Sequence, residues 1–218
     1  MSKLEPRPWI DPSDMPVGEG MVGVGGDLNP QTLLLAYSSG VFPWFEAGDP
    51  ILWWSPDPRA IFEMDGLYRS KRLMRTVRSG KFTLTFNRAF PEVMDGCADR
   101  EEGTWVTRSM RAAYVRLHEM GHAHWVETWI DGDLVGGAYG VAVGGLFAAE
   151  SMFYREDDAS KVALAGLFDR LNERGFVLFD TQMLTPHTTS MGAIEIPRSE
   201  YLARLAIAKQ LQGIRFGD

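Results

Sequence analysis

Two carboxylates and an amide fall where strand alternation turns them toward an apolar interior. Between Leu146 and Phe153, alternation places Leu146, Ala148, Glu150 and Met152 on one face. Over 176–182 it groups Phe176, Leu178, Asp180 and Gln182. Burial disfavours an ionised carboxylate and raises its pKa unless a partner compensates. One such acid could simply fix sheet register through a buried hydrogen bond or ion pair. Two strands with the same pattern favour a site. A second cluster lies earlier, in Phe42-Pro43-Trp44 and in Leu52 to Arg59, where Trp44, Trp53 and Trp54 stand among Pro and polar residues. Such segments tend to be surface loops that carry function. An indole held rigidly there is a platform for stacking a nucleobase, worth about 1–3 kcal/mol per base. Trp125 and Trp129, on one strand face, read as core.

Other reactive residues point to less. His118, His122 and His124 are close in sequence, but no Cys or carboxylate stands at ligand spacing, so no metal site is expected. His187 reads as the cap or start of a short helix. Cys97 has no evident base beside it and reads as a core thiol. Six residues, Gly136, Gly137, Ala138, Gly140, Gly144 and Gly145, leave room beside the strands for a ligand or another backbone.

The elements that must position these groups follow from local chemistry. Asn29-Pro30, a leucine run and Gly40 spell a capped helix. A helix over about 68–79 would turn Leu73, Met74 and Val77 inward. Lys81 to Asn87 reads as a strand, and Thr107 to Met120 as a helix capped by Thr107. Ala123 to Ile130, Leu134 to Val143 and Leu146 to Phe153 are separated by Asp131-Gly132 and Gly144-Gly145, giving three antiparallel strands. A helix over about 160–173, a strand over 176–182 and a helix over about 199–211 capped by Ser199 complete a mixed α/β (α+β) fold. A domain boundary is expected near 60, dividing 1–60 from 61–218.

Bulk composition narrows the classes. A chain of 218 residues can hold one large core, or a main domain with a small companion. No apolar run approaches the ~18 residues that span a bilayer. Met1 to Pro8 lacks the apolar stretch of a signal peptide, so a soluble, cytoplasmic protein without membrane partners is expected. With one cysteine there is no internal disulfide framework. Net charge is −7, yet Arg69, Lys71, Arg72, Arg75, Arg78, Lys81 and Arg88 give the segment 66–91 a charge of +7 with no acid. A local basic patch on an acidic body suits contact with a few phosphates; alone it would read as a solvated helix face.

Taken together, these residues resemble the leucyl/phenylalanyl-tRNA–protein transferases. The resemblance runs from Gly23 to Leu205. Its motifs are Gly25-Gly26-Asp27-Leu28, Gly40 to Phe45, Leu52 to Arg59, Gly103-Thr104-Trp105, Leu134 to Gly137, Glu150 to Phe153, Asp158 to Lys161 and Ser190 to Ala193. It implies a small N-terminal domain joined to an acetyltransferase-like (GNAT) domain. The implied activity is transfer of Leu or Phe, less often Met, from aminoacyl-tRNA to proteins beginning with Lys or Arg, which marks them for degradation. It implies Glu150, Asp180 and Gln182 at the reaction centre, with Trp44 and Trp105 holding the terminal adenosine. It places Arg69, Arg72, Arg75, Arg78 and Lys81 toward tRNA phosphates. Ala138, Met152, Leu164, Leu167, Phe168 and Phe179 would form the amino-acid pocket. No cofactor and a monomer are expected. Where the family commonly has Cys between the Asp and Gln, this chain has Thr181, facing away from Asp180 with little expected effect. Where the family has Ser after the His-Ala-His run, it has Trp125. Ala138 replaces a residue that is often larger.

The donor ester is already activated and an N-terminal amine has a pKa near 8, so losing its proton costs only about 1 kcal/mol at cytosolic pH. Orientation can supply roughly 7–11 kcal/mol at best. Positioning should therefore dominate, with Gln182, oriented by Asp180, contacting the amine or the tetrahedral intermediate. Glu150 would hold the amine or the acceptor's cationic side chain. A CoA-dependent N-acetyltransferase would need an Arg/Gln-x-x-Gly-x-Gly turn, and Arg100 to Trp105 fails its last position. A cell-wall aminoacyl transferase would need a longer, duplicated chain. A non-catalytic tRNA-binding module would leave the ester unconsumed.

Overall fold

The computed structural model describes residues 7–99 and 107–217. A short 3-10 turn at Pro12–Asp14 precedes β1 (Met21–Val24), α1 (Pro30–Ser38), β2 (Phe42–Pro43), β3 (Leu52–Trp54) and β4 (Arg59–Phe62). Then come α2 (Lys71–Arg78), β5 (Thr83–Phe86), α3 (Phe90–Ala98), α4 (Arg108–Glu119), β6 (Ala123–Ile130), β7 (Asp133–Val143) and β8 (Leu146–Tyr154). The chain ends with α5 (Ala159–Glu173), β9 (Leu178–Gln182), α6 (Pro186–Ser190), β10 (Ile194–Ile196) and α7 (Arg198–Ala208).

A small sheet, β1-β3-β2, uses only the first 54 residues. The large sheet runs β10-β4-β9-β8-β7-β6-β5 and is antiparallel except where β9 lies parallel to β8. That parallel step needs a crossover, which α5 supplies. The expected mixed, largely antiparallel sheet is present, and its central hairpins match the turn chemistry: Asp131 and Gly132 both take positive φ. Each face of the sheet carries a core. On one, Tyr139, Leu146, Ala148 and Leu178 pack with Tyr114, Leu117, Tyr201 and Trp53. On the other, Phe147 and Phe179 pack with Leu164, Leu167, Phe168 and Leu171 of α5. Each such large apolar side chain contributes roughly 1.5–3 kcal/mol on burial.

Several local expectations fail for identifiable reasons. The last helix starts at Arg198 behind Pro197, and no side chain caps it, so Ser199 is not its cap. Fixed φ at Pro197 and a guanidinium tied to four carbonyls (Arg198 to Met15, Pro16, Glu19 and Ser55) set its start. Val77 is exposed, because α2 meets the core mainly through Leu73. Trp53 is fully buried against Trp9, with Nε1 donating to the Gly25 carbonyl at 2.8 Å, so it is core and not a surface platform. The space beside the glycines is filled by protein: a Cβ on Gly140 would lie 2.4 Å from the Ala148 carbonyl oxygen.

Candidate active site

The β8–β9 ladder ends at Ala148↔Asp180, and a cavity of about 450 Å³ opens just past it. A β-bulge stands on each strand at this point. β8 inserts Glu150 between Ala149 and Ser151 opposite β7, and β9 inserts Thr181 between Asp180 and Gln182 opposite β4. Bulges re-aim side chains. The first one reverses alternation, so Met152 packs on the opposite face from Ala148 and does not share it as alternation alone predicts. Phe176 also packs on the other face from Leu178, because it precedes the strand.

Glu150 is half-buried in the cavity wall. Its Oε1 accepts from Gln182 Nε2 at 2.7 Å and its Oε2 from the Tyr114 hydroxyl at 2.9 Å. Because Tyr114 spends its proton there, Tyr37 must donate to Tyr114, at 2.5 Å. All these donors are neutral. Burial, reinforced by the Asp180 charge, pushes the Glu150 carboxyl up to about 7 against the lowering effect of its hydrogen bonds. Burial and the neighbouring Glu150 charge likewise raise Tyr114 well above the ordinary phenol value, so it stays a donor.

Asp180 is sealed. Arg59 forks onto it, Nε to Oδ1 at 2.9 Å and Nη2 to Oδ2 at 2.6 Å, while the Tyr201 hydroxyl donates to Oδ2 at 2.8 Å. The backbone N–H of Gln182 donates to Oδ1 at 2.9 Å. Gln182 itself has φ +67, a left-handed conformation that a glutamine rarely adopts. The Asp180 carboxylate thus holds a strained turn that delivers the Gln182 amide to Glu150. Asp180 is fully buried and does not line the cavity.

The other predicted site residues divide. Met152, Leu164 and Phe179 line the cavity, with Phe42 of the Phe42-Pro43-Trp44 block and with Phe62, which sequence reading did not single out. Ala138, Leu167 and Phe168 lie behind them in the same core cluster. Trp44 lines the mouth, exposed and edge-on to Trp54, whose Nε1 donates to the Trp44 carbonyl at 2.8 Å. Trp105 lies outside the described residues, as does the 100–105 segment. On the basic segment, Arg69 pairs with Asp169, Arg72 with Asp158 and Lys81 with Glu156, whereas Arg75 and Arg78 are exposed with no ion pair among the described residues. Exposed pairs of this kind are worth about 0–1 kcal/mol, so a phosphate can displace them. The three histidines turn ring nitrogens to the carbonyls of Ala123, Ala142 and Gly121.

Two family models match the chain: "Leucyl/phenylalanyl-tRNA protein transferase" over residues 61–206 and its N-terminal domain over 26–57. The chain belongs to this family. It is 52% identical over 192 residues to the leucyl/phenylalanyl-tRNA–protein transferases of Salmonella heidelberg (strain SL476) and Salmonella typhi, covering 88% of this chain and 82% of each relative. Among solved structures, L-PGS from Bacillus licheniformis matches with a TM-score of 0.41 and 15% identity, over 72% of this chain and 53% of that one. A GCN5-related N-acetyltransferase-like protein from Streptococcus suis matches with a TM-score of 0.36 and 14% identity, over 76% and 63%. Sequence reading of this leucyl/phenylalanyl-tRNA–protein transferase family member missed Tyr37, Tyr114 and Tyr201, and named Arg59 only as the end of the Leu52–Arg59 block, without its pairing to Asp180. The signal available was the cost of a buried acid, which requires donors somewhere in the chain.

Proposed function

We propose that this chain transfers a leucyl or phenylalanyl group from tRNA to the N-terminal amine of proteins beginning with Lys or Arg, marking them for degradation, and acts as a cytoplasmic monomer. The observation that supports this reading most is the Glu150–Gln182 pair, half-open at the mouth of an apolar cavity. Glu150 is the one charged residue in the cavity lining among the described residues, so the site attracts an amine or a cationic side chain. The apolar wall of Phe62, Met152, Leu164 and Phe179 suits a leucyl or phenylalanyl side chain, and Trp44 suits the terminal adenine. No described helix is long and apolar enough to cross a membrane.

In the reaction, the amine nitrogen bonds to the ester carbonyl carbon, the bond to the ribose oxygen breaks, and one amine proton ends on that oxygen. A carboxyl near 7 beside an amine near 8 exchanges a proton at little cost. Glu150 is therefore the group that takes the proton, while Gln182, with its NH₂ fixed to Glu150, turns its carbonyl oxygen to the amine. Asp180 supports Gln182 and does not touch substrate. Mass spectrometry of an Arg-starting peptide after reaction with a mixture of charged tRNAs tests the reading: a mass gain of one leucyl or phenylalanyl residue is expected. Labelled acetyl-CoA giving an acetylated peptide, or bound tRNA with its ester unconsumed, would support the rival readings instead.

A further inference from the structure

Two polar atoms of the cavity wall have no role in the chemistry above. Thr181 Oγ1 and His187 Nε2 are buried and unpartnered among the described residues, although both side chains line the cavity. A buried polar atom without a partner is unfavourable, and a ligand that supplies one is rewarded. Both residues are held in place. Thr181 is the residue that the β9 bulge inserts between Asp180 and Gln182. His187 sits in α6, whose first turn is fixed by a reciprocal Thr185–Thr188 capping box. Burial and then the Lys161 charge lower the His187 pKa, so its ring is neutral near pH 7.

We propose that Thr181 and His187 hold the 2′-hydroxyl of the terminal ribose beside the ester under attack; this rests on the transfer reaction proposed above. Besides its base and ribose ring oxygen, the aminoacylated terminal nucleotide brings four polar groups toward the cavity. The ester carbonyl belongs at Gln182 and Glu150. The α-amine is a cation when protonated, which Lys161 near His187 disfavours. A phosphate needs cations, and the cavity lining holds none among the described residues. The 2′-hydroxyl is neutral, both donates and accepts, and sits one carbon from the esterified oxygen. It must therefore lie close to Gln182, whose chain neighbour is Thr181. A neutral imidazole and a threonine hydroxyl match it, and such contacts are how proteins distinguish RNA from DNA at one position.

The test compares leucyl-tRNA ending in adenosine with leucyl-tRNA ending in 2′-deoxyadenosine, both esterified at the 3′-oxygen, using an Arg-starting peptide and reading kcat/KM. Any intrinsic effect of the hydroxyl on ester reactivity is shared by all enzyme variants and cancels. The wild type is expected to prefer the ribose donor by roughly tenfold. Thr181→Val keeps the side-chain shape and should cut that preference to less than about threefold, with Thr181→Ser restoring it. His187→Leu should reduce it independently, and decides the matter alone if Thr181→Val does not fold. A preference unchanged in both variants, or absent from the wild type, overturns the proposal while leaving the transfer reaction intact. Failure of the wild type to use either donor removes the transfer reaction and this proposal together.

Discussion

Asp180 and Glu150 stand on adjacent strands, yet four hydrogen bonds close around the first while the second is left half-open to a cavity. The difference is in the donors. Asp180 faces a guanidinium that satisfies a buried negative charge, so it serves as an anchor. Glu150 faces an amide and a phenol, which bind the carboxylate without neutralising it, and burial lifts its pKa to about 7. A third acid is closed in a different way: Glu127 is fully buried and accepts only from neutral donors, Thr85 and the backbone N–H groups of Arg88 and Ala89 just ahead of α3. An apolar strand face around an acid is thus compatible with either role, and what separates them is whether donors close around the acid, as at Asp180 and Glu127, or leave it open to a cavity, as at Glu150.

The largest expected effect breaks the closed member of the pair. Asp180→Asn leaves the Arg59 guanidinium buried without its counter-charge and should cost about 3–5 kcal/mol in urea unfolding. Replacing Arg59 and Asp180 together by apolar residues of similar size should recover most of that stability. Activity should stay low in the double variant, because nothing then holds the left-handed turn at Gln182.

Glu150 should respond in the opposite sense. Its folded pKa is raised, so the folded chain keeps the proton to higher pH than the unfolded chain does. The associated stability is complete below about pH 4.5 and is lost as pH rises through about 7. Glu150→Gln removes this dependence and should be more stable than wild type by up to about 3 kcal/mol at pH 8, with little difference at pH 4.5. Denaturant unfolding at the two pH values checks the sign. Equal pH dependence in both proteins would mean that Glu150 is solvated like a surface acid.

Smaller effects sharpen the contrast between the cavity and its approaches. Trp44→Ala should weaken binding of aminoacyl-tRNA by about 1–3 kcal/mol, seen as a higher KM with unfolding nearly unchanged, since the ring is exposed. Arg75→Gln and Arg78→Gln should each lower the slope of log affinity against log salt by about one at most, without altering kcat. No change in that slope would return α2 to the role of a solvated face.

The sequence made the hairpins of β6, β7 and β8 and the crossover helix α5 legible, because alternation, Gly turns and helical spacing are local signals. It also marked Glu150, Asp180 and Gln182 as belonging together. The donors that tell the two acids apart were hidden: Arg59 meets Asp180 across 121 positions, and Tyr114 reaches Glu150 across 36. Nothing local in a helix such as α4 says which strand its tyrosine will face. The bulges at Glu150 and Thr181 were equally invisible, since alternation has no term for an inserted residue. That is why alternation alone puts Met152 on the wrong face.

The assignment of proton transfer to Glu150 is tested most directly by kcat/KM for leucyl transfer to an Arg-starting peptide, from pH 6 to 9, in wild type and Glu150→Gln. Wild type should lose activity on acidification in two steps, one near 8 from the amine and one near 7 from Glu150. The variant should be slower by 10²–10⁴-fold at pH 8 and show only the amine step. A variant with near-wild-type rate, or one retaining the step near 7, would contradict a reaction centred on Glu150.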